Sequence, residues 1–334
     1  MKITTKVIGY TVSIAIISAL LSVLIVESVS VHYIDKTITK QTHARFESIR
    51  ESLNSELQMY FSLLFKEVQV LSSRSSVTNA VKEFSNAYNT AAGASLINEN
   101  KDASLEKFKK EFNQEYAHLN GGKQIKVNKY LNNIDPRAKK LQLDYIINNP
   151  YSITEKQEYL GEPLNDEYGL AHKKYHQYFK RLKDNSMFYD VMLINNSGTV
   201  VYTVEKEIDF GTSLKTGPFK NDSLAKIYKQ ALNANDDEVV ISDFISYLPS
   251  YNMPSLLIAT PIYDAKTSTR YGVLVAEVSI LELNKLMSFN GNWEKVGLGS
   301  TGQAILVGKG GILRTDLRGM VENTTSYLKS LSEA

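Results

Sequence analysis

The stretch FYDVMLINNSGTVVYTVEKEIDFGTSL, residues 188–214, decides the reading of this chain, because it sets two apolar runs on either side of a tight turn. Tyr189, Val191 and Leu193, then Val200, Tyr202 and Val204, recur at every second position, which is the period of a strand. Between them Asn195, Asn196, Ser197 and Gly198 tolerate positive φ, so the chain reverses and the runs pair as a hairpin. The polar segment that follows, 205–210, brings Lys206 and Asp209 to where a ligand would meet the sheet.

The period of two continues downstream. Helical spacing over 223–232 is followed by strands at 238–244, 255–263 and 271–278, the last two joined by a polar connection at 264–270, and then by a helix at 281–289. Five strands with intervening helices describe an antiparallel α+β sheet, flanked by helices. Beyond it, G-L-G-S-T-G at 297–302 precedes a strand-like run at 303–307 and a turn at 308–311.

Upstream of the hairpin the spacing is helical. Ile34, Ile38, Ile49, Leu53, Leu57, Leu64, Val68 and Leu71 recur at intervals near three and four, and no proline or glycine lies between Glu27 and Ala92. One long amphipathic helix is therefore expected to run until Ala91, Ala92 and Gly93 interrupt it. It reads as a stalk and lever, or as an ordinary bundle helix; both leave an apolar face in need of a partner. Residues 94–104 are polar and turn-prone, and helical spacing resumes with Leu105, Phe108, Phe112 and Leu119 until Gly121 and Gly122. Further helices are expected over 136–148, stopped by Pro150, and over 166–182, which carries Tyr168, His172, Tyr175 and Phe179 toward the sheet.

Residues 7–26 contain no charge, and at ~1.5 Å per residue they cover roughly the ~30 Å hydrocarbon core of a bilayer. A transmembrane helix is expected there. Lys2 and Lys6 precede it and Glu27 follows, which puts the N-terminus in the cytoplasm and the bulk of the chain outside. A cleaved signal peptide is the competing reading, but the run is long for one and no small-x-small site follows it closely. The 334 residues, 43% of them hydrophobic, are enough for about two domains. The 38 basic and 36 acidic residues are interspersed and leave a net charge of +2, which argues against nucleic acid as a partner. With no cysteine, disulfides, thiol catalysis and cysteine-ligated zinc are excluded. The 20 tyrosines gather after Tyr130, where such rings line a wet pocket or pack a surface.

Motifs with catalytic chemistry are weak. His172 and His176 share a helix face, but no glutamate follows the first histidine and Lys173 and Lys174 repel a cation, so no metal site is expected. Gly297, Gly299 and Gly302 spell G-x-G-x-x-G, yet a strand follows instead of a helix, so a β-turn fits better than a dinucleotide loop. No phosphate loop, paired acids or Ser-His-Asp spacing emerges, and neither an enzyme activity nor a cofactor is expected; a triad assembled only in space stays open.

The runs LQLDYIINNPY (141–151), KYHQYF (174–179), YDVMLINNSGTVVYTVEKEIDFGTSL (189–214), SDFISYLPSYNMPSLLIATPIYD (242–264) and VGLGSTGQAILVGKGGILRTDLR (296–318) resemble the extracytoplasmic Cache region, PAS-like and of the double Cache type, of bacterial chemoreceptors, histidine kinases and nucleotide cyclases. The resemblance covers most of the second half. It implies residues 1–29 as cytoplasmic end and membrane helix, 30–187 as periplasmic helical stalk or bundle, 188–290 as the PAS-like sensor module, and 291–334 as the start of a second, membrane-proximal subdomain. A second span and a signalling domain would follow in such a receptor, so a shortened form or an excerpt is expected. The implied partners are a small molecule (amino acid, organic acid or amine), the inner membrane, and a second copy through the long helix. The candidate ligand residues are Tyr202, Lys206, Asp209, Asp243, Tyr247, Ser250 and Tyr251: aromatic walls, a cation and carboxylates. The competing readings are a solvated loop for Lys206 and Asp209, packing for the tyrosines, and, for the whole chain, a membrane-anchored interaction protein without ligand response.

Overall fold

The computed structural model describes residues 3–91, 103–132, 134–161, 165–264 and 266–333. Helix α1 (Ile3–Ser72) is 70 residues long, about 105 Å at the standard rise. Near the N-terminus its most apolar window has a mean hydropathy of 2.4 and no buried residue, so this stretch is long and apolar enough to cross a membrane.

The single long helix expected from the sequence ends earlier, at a serine-rich joint. Ser72 and Ser73 turn their hydroxyls back onto Gln69 O and Val70 O at 2.9 and 3.2 Å, and Arg74 is extended at φ −73°, ψ 133°. Such local bonds compete with the helical ladder and replace the missing proline or glycine as the breaker. The chain restarts as α2 (Ser75–Thr90), whose Val77, Val81, Phe84 and Tyr88 are buried. Gly93 and the polar segment to residue 102 lie outside the described residues; α3 (Ala103–Leu119) already includes residues 103 and 104. A short α4 (Asn128–Leu131) leads to α5 (Pro136–Gln142), capped by Asp135, which continues into a π-helical turn, Leu143–Ile147. After the loop containing the 3-10 turn Lys156–Glu158 comes α6 (Glu167–Asp184), whose N-cap Asp166 accepts from Gly169 N.

The sheet comprises β1 (Asp190–Asn195), β2 (Val200–Thr203), β3 (Val240–Ile241), β4 (Ile245–Tyr247), β5 (Met253–Tyr263) and β6 (Arg270–Ser279). Its order is β2-β1-β6-β5-β3, with β4 also on β5, and every pairing is antiparallel. Helices α7 (Ser223–Asn233), α8 (Ile280–Met287) and α9 (Arg318–Glu333) complete the chain. The expected hairpin is present: Gly198 has φ +85°, and Asn195 Oδ1 accepts from Thr199 N at 2.9 Å to close the turn. Gly272 lies where β6 crosses β1, and a Cβ there would sit 2.1 Å from Ile194 O, so only glycine allows that approach.

Every residue of β1 and β2 is buried. Both faces are covered. Tyr202 stacks on Phe84 of α2 at 4.8 Å and meets Phe179 of α6 at 5.0 Å, while α7 rests on β5 and β6. The strand expected at 238–244 is split, because Ser242 Oγ accepts from Leu257 N and Asp243 Oδ1 from Phe244 N, taking bonds the ladder would use. The strand expected at 303–307 does not form; this hairpin-like segment is joined by one bridge, Val307 to Leu313, and by Leu306 N donating to Thr315 Oγ1 at 3.0 Å. The segment is held instead by side chains. Leu53 of α1 and Leu283 and Met287 of α8 pack with Ala304 and Leu306, and Asn284 and Asp316 exchange hydrogen bonds at 2.7 and 2.9 Å.

Candidate functional site

The sheet register puts two acids face to face. Asp190, the first residue of β1, pairs with Glu277 of β6, so both side chains leave the same face, and both are fully buried. Like charges directly opposite each other destabilise a sheet, so this pair opposes the packing that surrounds it. The loop leaving β2 adds to the group. Asp190 Oδ1 gathers Val191 N, Val204 N and Glu205 N at 2.6, 2.8 and 3.2 Å, which turns the chain at the strand end. Lys206 then takes a left-handed conformation, φ 57°, with its amide on Thr203 Oγ1 at 2.8 Å, and Glu207 and Asp209 fold inward after it. The reading of 205–210 as a solvated loop is therefore overturned: all six residues are buried.

Hydroxyls organise the carboxylates. Tyr247 of β4 donates to Asp209 Oδ2 at 2.6 Å, Tyr189 to Glu207 Oε1 at 3.0 Å, and Ser255 to Glu277 Oε1 at 2.5 Å. Ser250 Oγ lies 2.7 Å from Glu207 Oε2 and 2.8 Å from Glu277 Oε1. A serine has one hydroxyl hydrogen, so it cannot donate to both; one of the two carboxyls holds a proton and donates to Ser250. Asp190 Oδ2 and Asp209 Oδ1 are buried with no hydrogen-bond partner among the described residues.

Burial moves every one of these groups toward its neutral form. Glu277 is pushed up to about 8, with Asp190 opposite it adding to the effect of burial against the pull of Ser255 and Ser250. Asp209 rises to about 6, burial outweighing the Tyr247 hydrogen bond. Burial and the neighbouring carboxylates also raise Asp190 and Glu207. The buried ammonium groups of Lys206 and Lys156 are pushed down by desolvation, against the nearby carboxylates that favour their charge. Lys206 Nζ donates to Thr203 O and stands 4.4 Å above the Tyr202 ring; Lys156 Nζ donates to Ile153 O and lies 3.5 Å from the Tyr251 hydroxyl. At the rim Lys183 pairs with Glu205 at 2.5 Å.

His172 and His176 fasten the loop before α6. Their rings stack at 4.2 Å, and each binds a carbonyl of the loop before α6: His176 Nε2 to Gln157 O at 2.7 Å, His172 Nδ1 to Leu160 O at 3.2 Å. A carbonyl only accepts, so both nitrogens carry hydrogen, and His176 Nδ1 accepts from the Tyr202 hydroxyl at 2.7 Å. Burial, reinforced by Lys206, takes His176 down to about 3, so both rings are neutral.

No protein-family model matches the chain, and no curated protein matches it in sequence. Among solved structures it is similar to the ligand-binding domain of the Pseudomonas fluorescens chemoreceptor CtaA in complex with L-serine, with 15% identity and a TM-score of 0.30, over 66% of this chain and 74% of that one. It is similar to the ligand-binding domain of the Pseudomonas aeruginosa PAO1 amino-acid chemoreceptor PctC in complex with GABA, at 16% and 0.30, over 64% and 73%. A third is the sensor domain of the V. cholerae histidine kinase DctB, at 13% and 0.27, over 55% and 59%. Likenesses this low carry no argument about what this chain binds.

Of the residues singled out from the sequence, the structure gathers Tyr202, Lys206, Asp209, Tyr247, Ser250 and Tyr251 at this end of the sheet, all buried. Asp243 is not among them. It lies on the surface, its side chain 55% exposed, and forms a two-pronged ion pair with Arg314. The split of the third strand turns it away from the cluster. Sequence reasoning missed Asp190, Glu205, Glu207, Glu277 and Lys156. For Glu277 a signal was present, since it is the lone charge in the apolar run VLVAEVSI; Asp190, ahead of VMLI, carried a weaker one. Nothing in TEKQE marks Lys156. A cleft of about 510 Å³ between α1 and residues 298–306, lined mainly by apolar residues such as Phe46, Leu53, Leu57, Met287 and Leu306, includes none of the clustered acids.

Proposed function

We propose that this chain is the membrane-anchored sensor region of a bacterial receptor of the Cache type, binding a small molecule in the periplasm at the carboxylate cluster. The observation that carries the reading is the buried, unbalanced group of acids. Packing alone is opposed by Asp190 facing Glu277 with no carboxylate-to-cation pairing between β1 and β6, whereas a binding site gains a preformed acceptor set from the same arrangement. Aromatic walls from Tyr189, Tyr202, Tyr247 and Tyr251 around a few polar groups suit a small ligand. Among amino acids, organic acids and amines, the excess of carboxylates over ammonium groups favours ligands that carry an amine.

The route to the membrane is α1. One continuous helix runs from the apolar N-terminal stretch to contacts with β5, β6 and α8, so movement at the sheet reaches the bilayer without crossing a joint. A ligand that favours one of two helix arrangements transmits its presence, and shifts of about 1–2 Å suffice where a helix interface is bistable. Exposed apolar residues such as Met59 and Leu63 on α1 support pairing of two copies along this helix. Thermal-shift screening of the full chain in lipid nanodiscs against amino acids, organic acids and amines tests the proposal. Saturable stabilisation by an amine-bearing molecule is expected, and silence from all three classes sinks ligand sensing.

A further inference from the structure

Resting on the sensor reading, we infer that Lys156 is a tethered stand-in for the ammonium group of the free ligand, so that binding expels Lys156 and releases the loop that carries it.

The charge account leads there. Asp190, Glu205, Glu207, Asp209 and Glu277 are buried, and Glu205 is matched at the rim by Lys183. For the other four acids the buried cations among the described residues are Lys206 and Lys156. The two lysines differ in origin. Lys206 belongs to the loop that leaves β2, anchored through its own amide to Thr203 Oγ1. Lys156 enters from outside the sheet, on the 3-10 turn Lys156–Glu158 between the π-helical turn and α6. Its side chain is buried, and the field of Glu207, Glu205 and Asp190 acts to keep it charged against desolvation. Yet it is fastened to none of them: among the described residues no carboxylate lies within ion-pair distance of its Nζ, which is spent on Ile153 O of its own loop and a long contact to Tyr251. Lys156 neutralises the cluster from a distance without satisfying it. The orphaned oxygens Asp190 Oδ2 and Asp209 Oδ1 remain. An untethered ammonium, with three donors and no backbone to restrain it, can serve such oxygens directly.

The loop is built to be held and released as a unit. Its attachments to the body include three carbonyls, Gln157 O on His176, Leu160 O on His172 and Lys156 O on Asn149 Nδ2 at 3.0 Å, together with the Glu158 carboxylate on Lys180 of α6 at 3.1 Å and the Tyr159 ring against Tyr145. A cleft of about 10 Å³, room for roughly one water, lies between α3 and this loop, with Glu111, Tyr151 and Lys156 among the residues that line it. Withdrawal of Lys156 widens the approach to the cluster and vacates the cationic position in the same movement. The charged and titratable groups facing that position are Glu111 from α3, Asp190 from β1, Glu205, Lys206 and Glu207 from the loop after β2, and Tyr251 from the turn before β5.

The test uses the full chain in lipid nanodiscs and propylammonium, the free equivalent of the lysine terminus, with tetramethylammonium at equal ionic strength as control. Lys156→Ala is expected to melt lower than wild type and to be restored by propylammonium, saturably, while tetramethylammonium does nothing. If Lys156→Ala does not fold alone, refolding yield in the two salts reads the same question: recovery only in propylammonium supports the inference, and equal yields overturn it. A lysine with a purely structural role would also be rescued, so the second readout is hydrogen exchange in the wild-type chain. The Glu158 and Tyr159 amides, bonded within the turn to Glu155 O and Lys156 O, are expected to exchange faster in propylammonium than in tetramethylammonium. Unchanged or slower exchange there overturns the tether and leaves the sensor reading, judged on the wild-type ligand screen, standing.

Discussion

Replacing Glu277 by glutamine is expected to make this protein more stable and a poorer binder of amines, and the gain should appear mainly at high pH. Burial, with Asp190 opposite it in the register, raises the Glu277 carboxyl from its ordinary 4.5 to about 8. Its proton is therefore held by the folded chain and released by the unfolded one between those limits. A raised folded value contributes stability that is complete below pH 4.5 and lost as the pH climbs through 8. At 1.36 kcal/mol per unit the ceiling is about 5 kcal/mol; redistribution of protons over Asp190 and Glu207 lowers the expected difference to about 2 kcal/mol. Glutamine keeps the hydrogen bonds. Its carbonyl accepts from Ser255, and its amide donates to Ser250, freeing the Ser250 hydrogen for Glu207. Urea unfolding of wild type and Glu277→Gln, followed in nanodiscs at pH 5 and pH 8, measures the effect. Comparing the two chains at each pH cancels the titrating groups that lie away from Glu277. A Glu277→Gln chain less stable than wild type at pH 8, or one with the same offset at both pH values, would show that Glu277 is a satisfied structural acid and refute the cluster argument.

Tyr247→Phe removes the hydroxyl donor on Asp209 Oδ2 from a fully buried carboxyl whose Oδ1 already lacks a partner, for a loss of about 1–3 kcal/mol in unfolding free energy and an upward move of Asp209 from about 6. The His176 ring is expected to show a neutral Nε2–H tautomer by nitrogen-edited NMR throughout pH 5 to 8, because its protonation is driven down to about 3. Its depressed value contributes stability that is present above pH 6.5 and lost as the pH falls toward 3, so His176→Gln should flatten the acid side of the stability curve; a ring that titrates near 6.5 would refute its burial as neutral.

Much of the fold was legible in the chain because its signals are local. The hairpin at 188–214, the helices near 223 and 280, and the two long strands follow from periodicity and turn residues a few positions apart. Two of the failures share a cause: side chains took over backbone bonds. Ser72 and Ser73 ended the long helix where no glycine or proline warned of it, and Ser242 and Asp243 split the third strand and left Asp243 at the surface with Arg314. In the site, Lys206, Asp209, Tyr247 and Ser250 were found because they flank strands; Lys156 was not, because it lies in the polar run T-E-K-Q-E, which carries no strand signal.

The sequence by itself determined that residues 7–26 are uncharged and apolar, that the second half alternates as strands, and that E-K-E-I-D follows the hairpin. It left open whether those charges face water. Tertiary structure decided that they do not. Burial and ionisation depend on which distant segments cover a residue, and here Glu277, Ser250 and Lys156 arrive from three separate parts of the chain to close over Asp190 and the loop after β2. Local pattern sets the conformation of a strand, but the free energy of a charge is set by everything around it. The opposition of Asp190 and Glu277 exists only in the register of β1 with β6.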